Sequence, residues 1–344
     1  MRLDHPEAGH FSGRDGLIDG HGRRLTYLRL SVTDRCNLRC FYCMPQSRFS
    51  WIPQEEVLTY EEIIRLLEVM AGLGIRKVRL TGGEPLVRRD ILSLVEEIQA
   101  IGGIEKLCLT TNGVLLPQLA RDLYGLGLRH VNISLDTLRP ELFKELTGRD
   151  NFAQVWKGIM KCVELGFSPI KINAVMLRGR NHTELADLAA LALRYPIEVR
   201  FIEFMPVGNE SRWESRYFIP SKEARALIEE RLGPLTPIEQ KHMGPARLYE
   251  LEGAMGTIGF INPMSHNFCS SCNRIRITSD GRMRLCLFSD SEIDLKPLLR
   301  QGASRQEMAA FIQDAVKHKP ASYAKIEDDE GHPSCRRKMS TIGG

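Results

Sequence analysis

The sequence predicts an α/β fold organised on a parallel sheet, and three observations carry the prediction. Short apolar strands alternate with helical stretches six times between about residues 25 and 232. The strands are rich in Val, Ile and Leu, as strands buried on both faces require. Polar and glycine residues gather at the C-terminal ends of five of them, the edge at which parallel α/β sheets bind ligands.

The units follow in order. "LTYLRLSVT" reads as the first strand, and "YEEIIRLLEVMAGLG" has helical spacing with a glycine stop. "KVRLTGG" precedes a helix from Asp90, and "KLCLTTNG" one from about Val114. "HVNISLD" leads to helices across 140–165, "IKINAVM" to one near 182–194, and "EVRFIEFMP" to one near 221–231. The strand ends carry Thr81-Gly82-Gly83, Thr110-Thr111-Asn112, Ser134, Asn173 and Met205. An open doubly wound sheet and a barrel both fit. Six units fall short of the eight of a closed barrel, so a barrel would leave one side open. After about residue 232 the rhythm lapses into the Pro/Gly-rich "GPLTPIEQKHMGPARLYELEG", a smaller element able to cover that opening.

Composition sets broad limits. The 344 residues carry a net charge of +4, compatible with an anionic substrate but too small to argue for nucleic acid. The first residues lack the apolar core of a secretory signal, and no stretch has the ~18 apolar residues of a membrane span. A soluble cytoplasmic protein is the expectation, with no membrane partner. Nine cysteines are too sparse for a disulfide scaffold, and six of them fall in two clusters, which points to metal or redox chemistry.

Cys36, Cys40 and Cys43 lie in "RCNLRCFYC", a C-x3-C-x2-C triplet just after the first strand. A closed zinc site takes four ligands, and the loop has no histidine. Three thiolates on a four-iron cube leave one iron open. A zinc site completed by a distant residue is the alternative. The second triplet, Cys269, Cys272 and Cys286, has C-x2-C-x13-C spacing, with His266 as a possible fourth zinc ligand. Between its cysteines, "NRIRIT" reads as a strand with Arg274 and Arg276 on alternate positions. Both guanidiniums then face one way, suited to bidentate binding of a phosphate. A solvated strand face is the plainer reading of that pair.

"CNLRCFYC" and "TGGEP" resemble the two signature motifs of the radical S-adenosylmethionine superfamily. The order "YLRLSVTDRCNLRCFYCMP", "RLTGGEPLVRRD", "LTTNG", "NISLDTL", "KINAVM", "FIEFMPVG", "FCSSCNRIRIT", "RLCLF" and "MSTIGG" resembles its GTP 3′,8-cyclase family, over about residues 25–344. The resemblance implies an incomplete (βα)6 TIM-type barrel over 21–235, after a disordered extension over 1–20. It implies a C-terminal α+β element over 236–344, with an auxiliary cluster and a Gly-Gly tail, covering the open side.

It also implies two 4Fe-4S clusters and S-adenosyl-L-methionine as cofactors. Cys36, Cys40 and Cys43 would hold the cluster that binds S-adenosylmethionine, and Cys269, Cys272 and Cys286 the one that binds GTP. Tyr42, Gly83, Ser134 and Met205 would contact the cofactor; Arg29, Arg79, Thr110, Lys171, Arg274, Ile275 and Arg276 would contact GTP. Arg274, Arg276 and the terminal Gly343 and Gly344 would serve catalysis. Arg29, Arg79 and Lys171 lie on strands expected to be buried, where an unpaired charge is costly and a triphosphate would compensate it.

Implied partners are an electron donor such as flavodoxin, the downstream cyclic pyranopterin monophosphate synthase, and a second copy in a homodimer. The rival readings are a peptide-modifying radical enzyme and a zinc-stabilised RNA-binding protein. Cys108 and Cys162 read as buried small hydrophobes, and Cys335 as a free thiol in a polar tail.

Overall fold

A computed structural model describes residues 16–44, 51–208, 213–239, 244–323 and 335–343. The expected units appear in order: β1 (Tyr27–Ser31), α1 (Tyr60–Gly72), β2 (Lys77–Thr81), α2 (Ile91–Gln99), β3 (Lys106–Thr111) and α3 (Leu116–Gly125). There follow β4 (His130–Ser134), α4 (Pro140–Thr147), α5 (Phe152–Leu165), β5 (Ile170–Met176), α6 (Leu185–Ala189), α7 (Leu191–Arg194), β6 (Ile197–Glu203) and α8 (Ser221–Leu232). The helix expected near 182–194 is thus two short ones.

The later chain adds β7 (Leu235–Pro237), β8 (Ala246–Leu251), β9 (Thr257–Ile261), β10 (Arg274–Ile277), β11 (Arg282–Arg284) and β12 (Ile293–Asp294). It ends with α9 (Lys296–Arg300), α10 (Arg305–Val316) and the four-residue α11 (Met339–Ile342).

Local chemistry fixes the helices. Thr59 and Glu62 form a capping box at the start of α1, and Ile63, Leu66, Leu67 and Met70 bury one face of it against the sheet. The strands' other faces complete this core, with Leu28, Leu30, Val78, Leu80 and Leu109 fully buried.

Among the described residues, twelve strands form one unclosed sheet, in the order β12-β11-β10-β1-β2-β3-β4-β5-β6-β9-β8-β7. Strands β1 to β6 are parallel, as expected for an incomplete barrel. The C-terminal segment joins this sheet at both edges: β10 pairs with β1 and β9 with β6, both parallel. It therefore brings the second cysteine cluster alongside the first strand.

Of the stretch 1–20 expected to be disordered, residues 1–15 lie outside the described residues. Within residues 16–20, Leu17 and Asp19 are buried, and the Asp19 carboxylate pairs with Arg23 at 2.6 Å, whereas Ile18 is exposed. Among the described residues, no helix is long and apolar enough to cross a membrane.

Candidate active site

The sheet's inner face lines a cavity of about 1200 Å³, and both cysteine triplets open onto it. Because strand side chains alternate, register stacks the inward residues into rows across neighbouring strands. One row runs Arg274, Tyr27, Lys77, Lys106; the next runs Arg276, Arg29, Arg79, Cys108, His130. Further along, Thr110, Asn132 and Lys171 align, then Ser134, Asn173 and Arg200. All of these line the cavity.

The cations do not wait for a ligand to be paired. Arg79 donates from Nε to the Tyr27 hydroxyl at 2.7 Å and from Nη1 to the Leu109 carbonyl at 2.9 Å. Lys171 pairs with Glu198 at 2.8 Å, and Arg200 contacts the same carboxylate. Burial pushes the Glu198 carboxyl up, but Arg200 and Lys171 outweigh it and hold it below the usual range. Of the three cations expected to need an anion, Lys171 has one in Glu198, whereas Arg79 bonds to a phenol and a carbonyl oxygen. Arg274 lies over the Phe268 ring at 4.8 Å.

Around the first triplet the "TGGE" turn clamps the cysteine loop. Gly83 N–H donates to Thr33 O at 2.7 Å, and Glu84 N–H to Arg35 O at 2.8 Å. A Cβ on Gly83 would meet the Arg35 carbonyl at 2.3 Å. The absence of a side chain there serves loop docking as well as access to the cavity, which refines the sequence reading. Buried Glu84 accepts from Thr111 Oγ1 and the Asn112 backbone N–H, at 2.8 and 2.6 Å. Asn112 then reaches Asn37 Oδ1 at 2.7 Å and Cys36 Sγ at 3.7 Å. The Tyr42 hydroxyl donates to Asp136 Oδ2 at 2.5 Å, which fixes its ring in the cavity wall.

The first triplet lies in a field that disfavours thiolates, and in the second burial likewise raises Cys286, whereas Cys272 is held down. Burial pushes the Cys36 thiol up to about 11 and Cys43 to about 12, and Cys40 also rises well above the usual value. Burial also acts on Cys272, but Arg274, Lys319 and Arg23 overcome it and hold that thiol down to about 7. Lys319, nearly inaccessible, donates to the carbonyls of Arg274 and Leu285 and lines the cavity beside Cys272 and Cys286.

The tail reaches the same place. Gly343 is buried with φ +72°, and a Cβ there would meet Thr81 Oγ1 at 2.2 Å. Its carbonyl accepts from Arg276 Nη1 at 2.5 Å and Arg29 Nε at 3.3 Å. Gly344 lies outside the described residues. The segment before it is latched elsewhere: Arg337 pairs with Asp280 at 2.6 Å and also with Glu292. Cys335 is buried, with Arg284 Nη2 at 3.1 Å from its sulfur, contrary to the polar surroundings expected for it.

Most expected site residues therefore meet. The Ile275 side chain points the other way into the core, so only its backbone is available on the cavity side. Cys108 is buried as expected but faces the cavity. His266 is exposed and does not line the cavity onto which Cys269, Cys272 and Cys286 open. Tyr27, Lys77, Lys106, Arg200 and Lys319 escaped sequence reasoning, although the alternation in "YLRLS" and "KVRLT" could have shown Tyr27 and Lys77.

The donors fit the implied groups. Three cysteines open onto the cavity from each side, and among the described residues no His, Cys, Asp or Glu group converges on a single ion. Three thiolates from each triplet would take three corners of a four-iron cube and leave its fourth iron open. Asn132 Oδ1 and Asn173 Oδ1 are buried on the cavity wall without a hydrogen-bond partner among the described residues, and ligand donors would satisfy them.

An incomplete barrel with a cysteine triplet and a GGE turn at its ligand edge defines a radical S-adenosylmethionine protein. In agreement, the family described as "Radical SAM superfamily" matches residues 30–192, and "Molybdenum Cofactor Synthesis C" matches residues 197–325. Two relatives, each named GTP 3′,8-cyclase, come from Desulforamulus reducens and Pelotomaculum thermopropionicum. They are 46% and 45% identical over 329 residues, covering 95% of this chain and 100% of each relative. The chain belongs to the GTP 3′,8-cyclase family.

Solved structures share the fold at low identity. Streptococcus suis SuiB bound to S-adenosylmethionine gives a TM-score of 0.55 at 18% identity, over 84% of this chain and 68% of that one. Native anSMEcpe with bound AdoMet gives 0.55 at 15% identity, over 86% and 81%.

Proposed function

We propose that this cavity converts GTP to (8S)-3′,8-cyclo-7,8-dihydroguanosine 5′-triphosphate, the first step of molybdenum cofactor biosynthesis. One observation carries the reading: both cysteine triplets and the rows of cations face a single cavity. The 4Fe-4S cluster and S-adenosylmethionine supply, when bound, the 5′-deoxyadenosyl radical that takes the C3′ hydrogen of GTP before C3′ bonds to C8.

The protein's own work is positioning, charge balance and exclusion of water. Cys36, Cys40 and Cys43 hold the first cluster, on a loop clamped by Gly83 and Glu84. Tyr42, Gly83, Ser134 and Met205 line the side of S-adenosylmethionine, with the Tyr42 ring locked by Asp136. Cys269, Cys272 and Cys286 hold the second cluster in the cationic field of Arg274 and Lys319, suited to a polyanionic nucleotide. Arg29, Arg79, Thr110, Lys171, Arg274, the Ile275 backbone and Arg276 form the wall for that nucleotide. Gly343 brings the tail to Arg29 and Arg276, so the tail orients the guanidiniums that meet substrate.

The reaction takes up two electrons, one to cleave S-adenosylmethionine and one, with a proton, to bring the cyclised nucleotide to its dihydro product, and a donor such as flavodoxin supplies them. The product passes to cyclic pyranopterin monophosphate synthase, and the reaction is cytoplasmic. A homodimer remains part of the reading. Iron and sulfide content together with the brown absorption of reconstituted protein tests it first: about eight irons per chain support two cubes, and stoichiometric zinc in a colourless protein overturns them.

A further inference from the structure

Tyr27 has no role in the reading above, yet it is the one phenol in the rows of cations. Its hydroxyl accepts from Arg79 Nε at 2.7 Å, and Lys77 Nζ lies 4.5 Å from its ring centroid. Register places it beside Lys77 on β2 and Arg274 on β10, one inward step from Arg29. It lines the cavity at the point where these three strands meet. A phenol has one proton to give and lone pairs to accept with. With Arg79 occupying the acceptor side, the proton remains to be directed at an oxygen that only accepts, as phosphate oxygens do.

We propose that Tyr27 is a phosphate-positioning residue: its oxygen holds Arg79 while its proton is donated to a phosphate oxygen of the nucleotide, so binding requires the protonated phenol. The proposal rests on the nucleotide reading above. The groups facing Tyr27 are Arg29 on its own strand, Lys77 and Arg79 on β2, Cys108 on β3, and Arg274 on β10. Seclusion pushes its hydroxyl up, but Arg79, Arg29 and Lys77 outweigh that and hold it down to about 7. Above that pH the free protein carries a phenolate that neutralises its own cations. An incoming polyphosphate takes over that neutralisation and repels the phenolate, so binding there takes up a proton. Affinity then weakens as pH rises above about 7, by at most about tenfold per pH unit.

The test is calorimetric titration of GTP into anaerobically reconstituted wild type and Tyr27→Phe, from about pH 6.5 to 8.5. Each pH uses two buffers of different ionisation heat. Wild type is expected to take up a proton at the alkaline end. Tyr27→Phe is expected to bind about 5- to 20-fold more weakly at the acid end, one charge-assisted hydrogen bond being lost. That difference shrinks towards the alkaline end, with no matching proton uptake in the variant. The variant's ring preserves packing, and the nucleotide's own phosphate ionisation is common to both proteins. Equal affinity and equal proton uptake at every pH would overturn the role of Tyr27 alone. Failure of wild type to bind GTP at all would instead overturn the nucleotide reading on which it rests.

Discussion

The carbonyl of Gly343 accepts a 2.5 Å hydrogen bond from Nη1 of Arg276, across 67 residues of sequence. The same carbonyl accepts from Arg29, so the tail joins the first strand to the strand that follows the second cysteine pair. Gly343 has φ +72°, and a Cβ would meet Thr81 Oγ1 at 2.2 Å. Gly343→Ala is therefore expected to displace the tail without unfolding the sheet. Turnover of GTP should fall on the order of 10²-fold, as misplacement of a positioning element does. Retained turnover with retained thermal stability would show that the tail contact is incidental.

The latch that sets the tail's path is ionic. Arg337 pairs with Asp280 and Glu292, and fully buried Arg284 pairs with Glu292 at 2.5 Å. Removing one member leaves the others uncompensated, which for a buried pair costs about 3–5 kcal/mol. Arg337→Ala should raise amide hydrogen exchange in 335–343 and lower turnover, whereas Arg216→Ala, an exposed pair with Glu214, should change neither. Unchanged exchange in the tail would count against the latch.

Glu198 gives a pH signature. Its folded value lies below the ordinary carboxylate value, so its stabilisation is present above about pH 4.5 and lost as pH falls through the folded value. Glu198→Gln, which leaves Lys171 and Arg200 without their anion, should melt about 2–5 °C lower than wild type at neutral pH. The gap should close at acid pH, where wild type is itself protonated. A gap independent of pH would point to packing instead.

The two clusters divide the chemistry. Cys40→Ala should abolish release of 5′-deoxyadenosine. Arg276→Ala should retain it in part while losing cyclised nucleotide. If Arg276→Ala turns over GTP at the wild-type rate, the phosphate wall is wrongly placed.

Much of this arrangement was legible in local pattern. The triplet of Cys36, Cys40 and Cys43 and the alternation of Arg274 with Arg276 need only spacing, and the six strands need only apolar runs. Which strands become neighbours is a tertiary matter. Nothing near Arg274 in sequence says that β10 lies against β1, so the row joining Arg276, Arg29 and Arg79 was hidden. The Lys171–Glu198 pair was hidden likewise, since it follows from the β5–β6 register. Cys335 looked polar because its sequence neighbours are charged, whereas Arg337 spends its charge on Asp280 and Glu292 and Cys335 packs with Val207, Phe288 and Ile342. The cofactor contact expected of Gly83 needs only its motif, whereas the Arg35 carbonyl against it comes from a loop that composition could not place.

The most direct measurement is 5′-deoxyadenosine release by anaerobically reconstituted, reduced protein, given S-adenosylmethionine and each nucleoside triphosphate in turn. The account predicts release stimulated by GTP alone, with a cyclised guanosine triphosphate formed beside it. Release indifferent to the nucleotide, with GTP recovered intact, would contradict it.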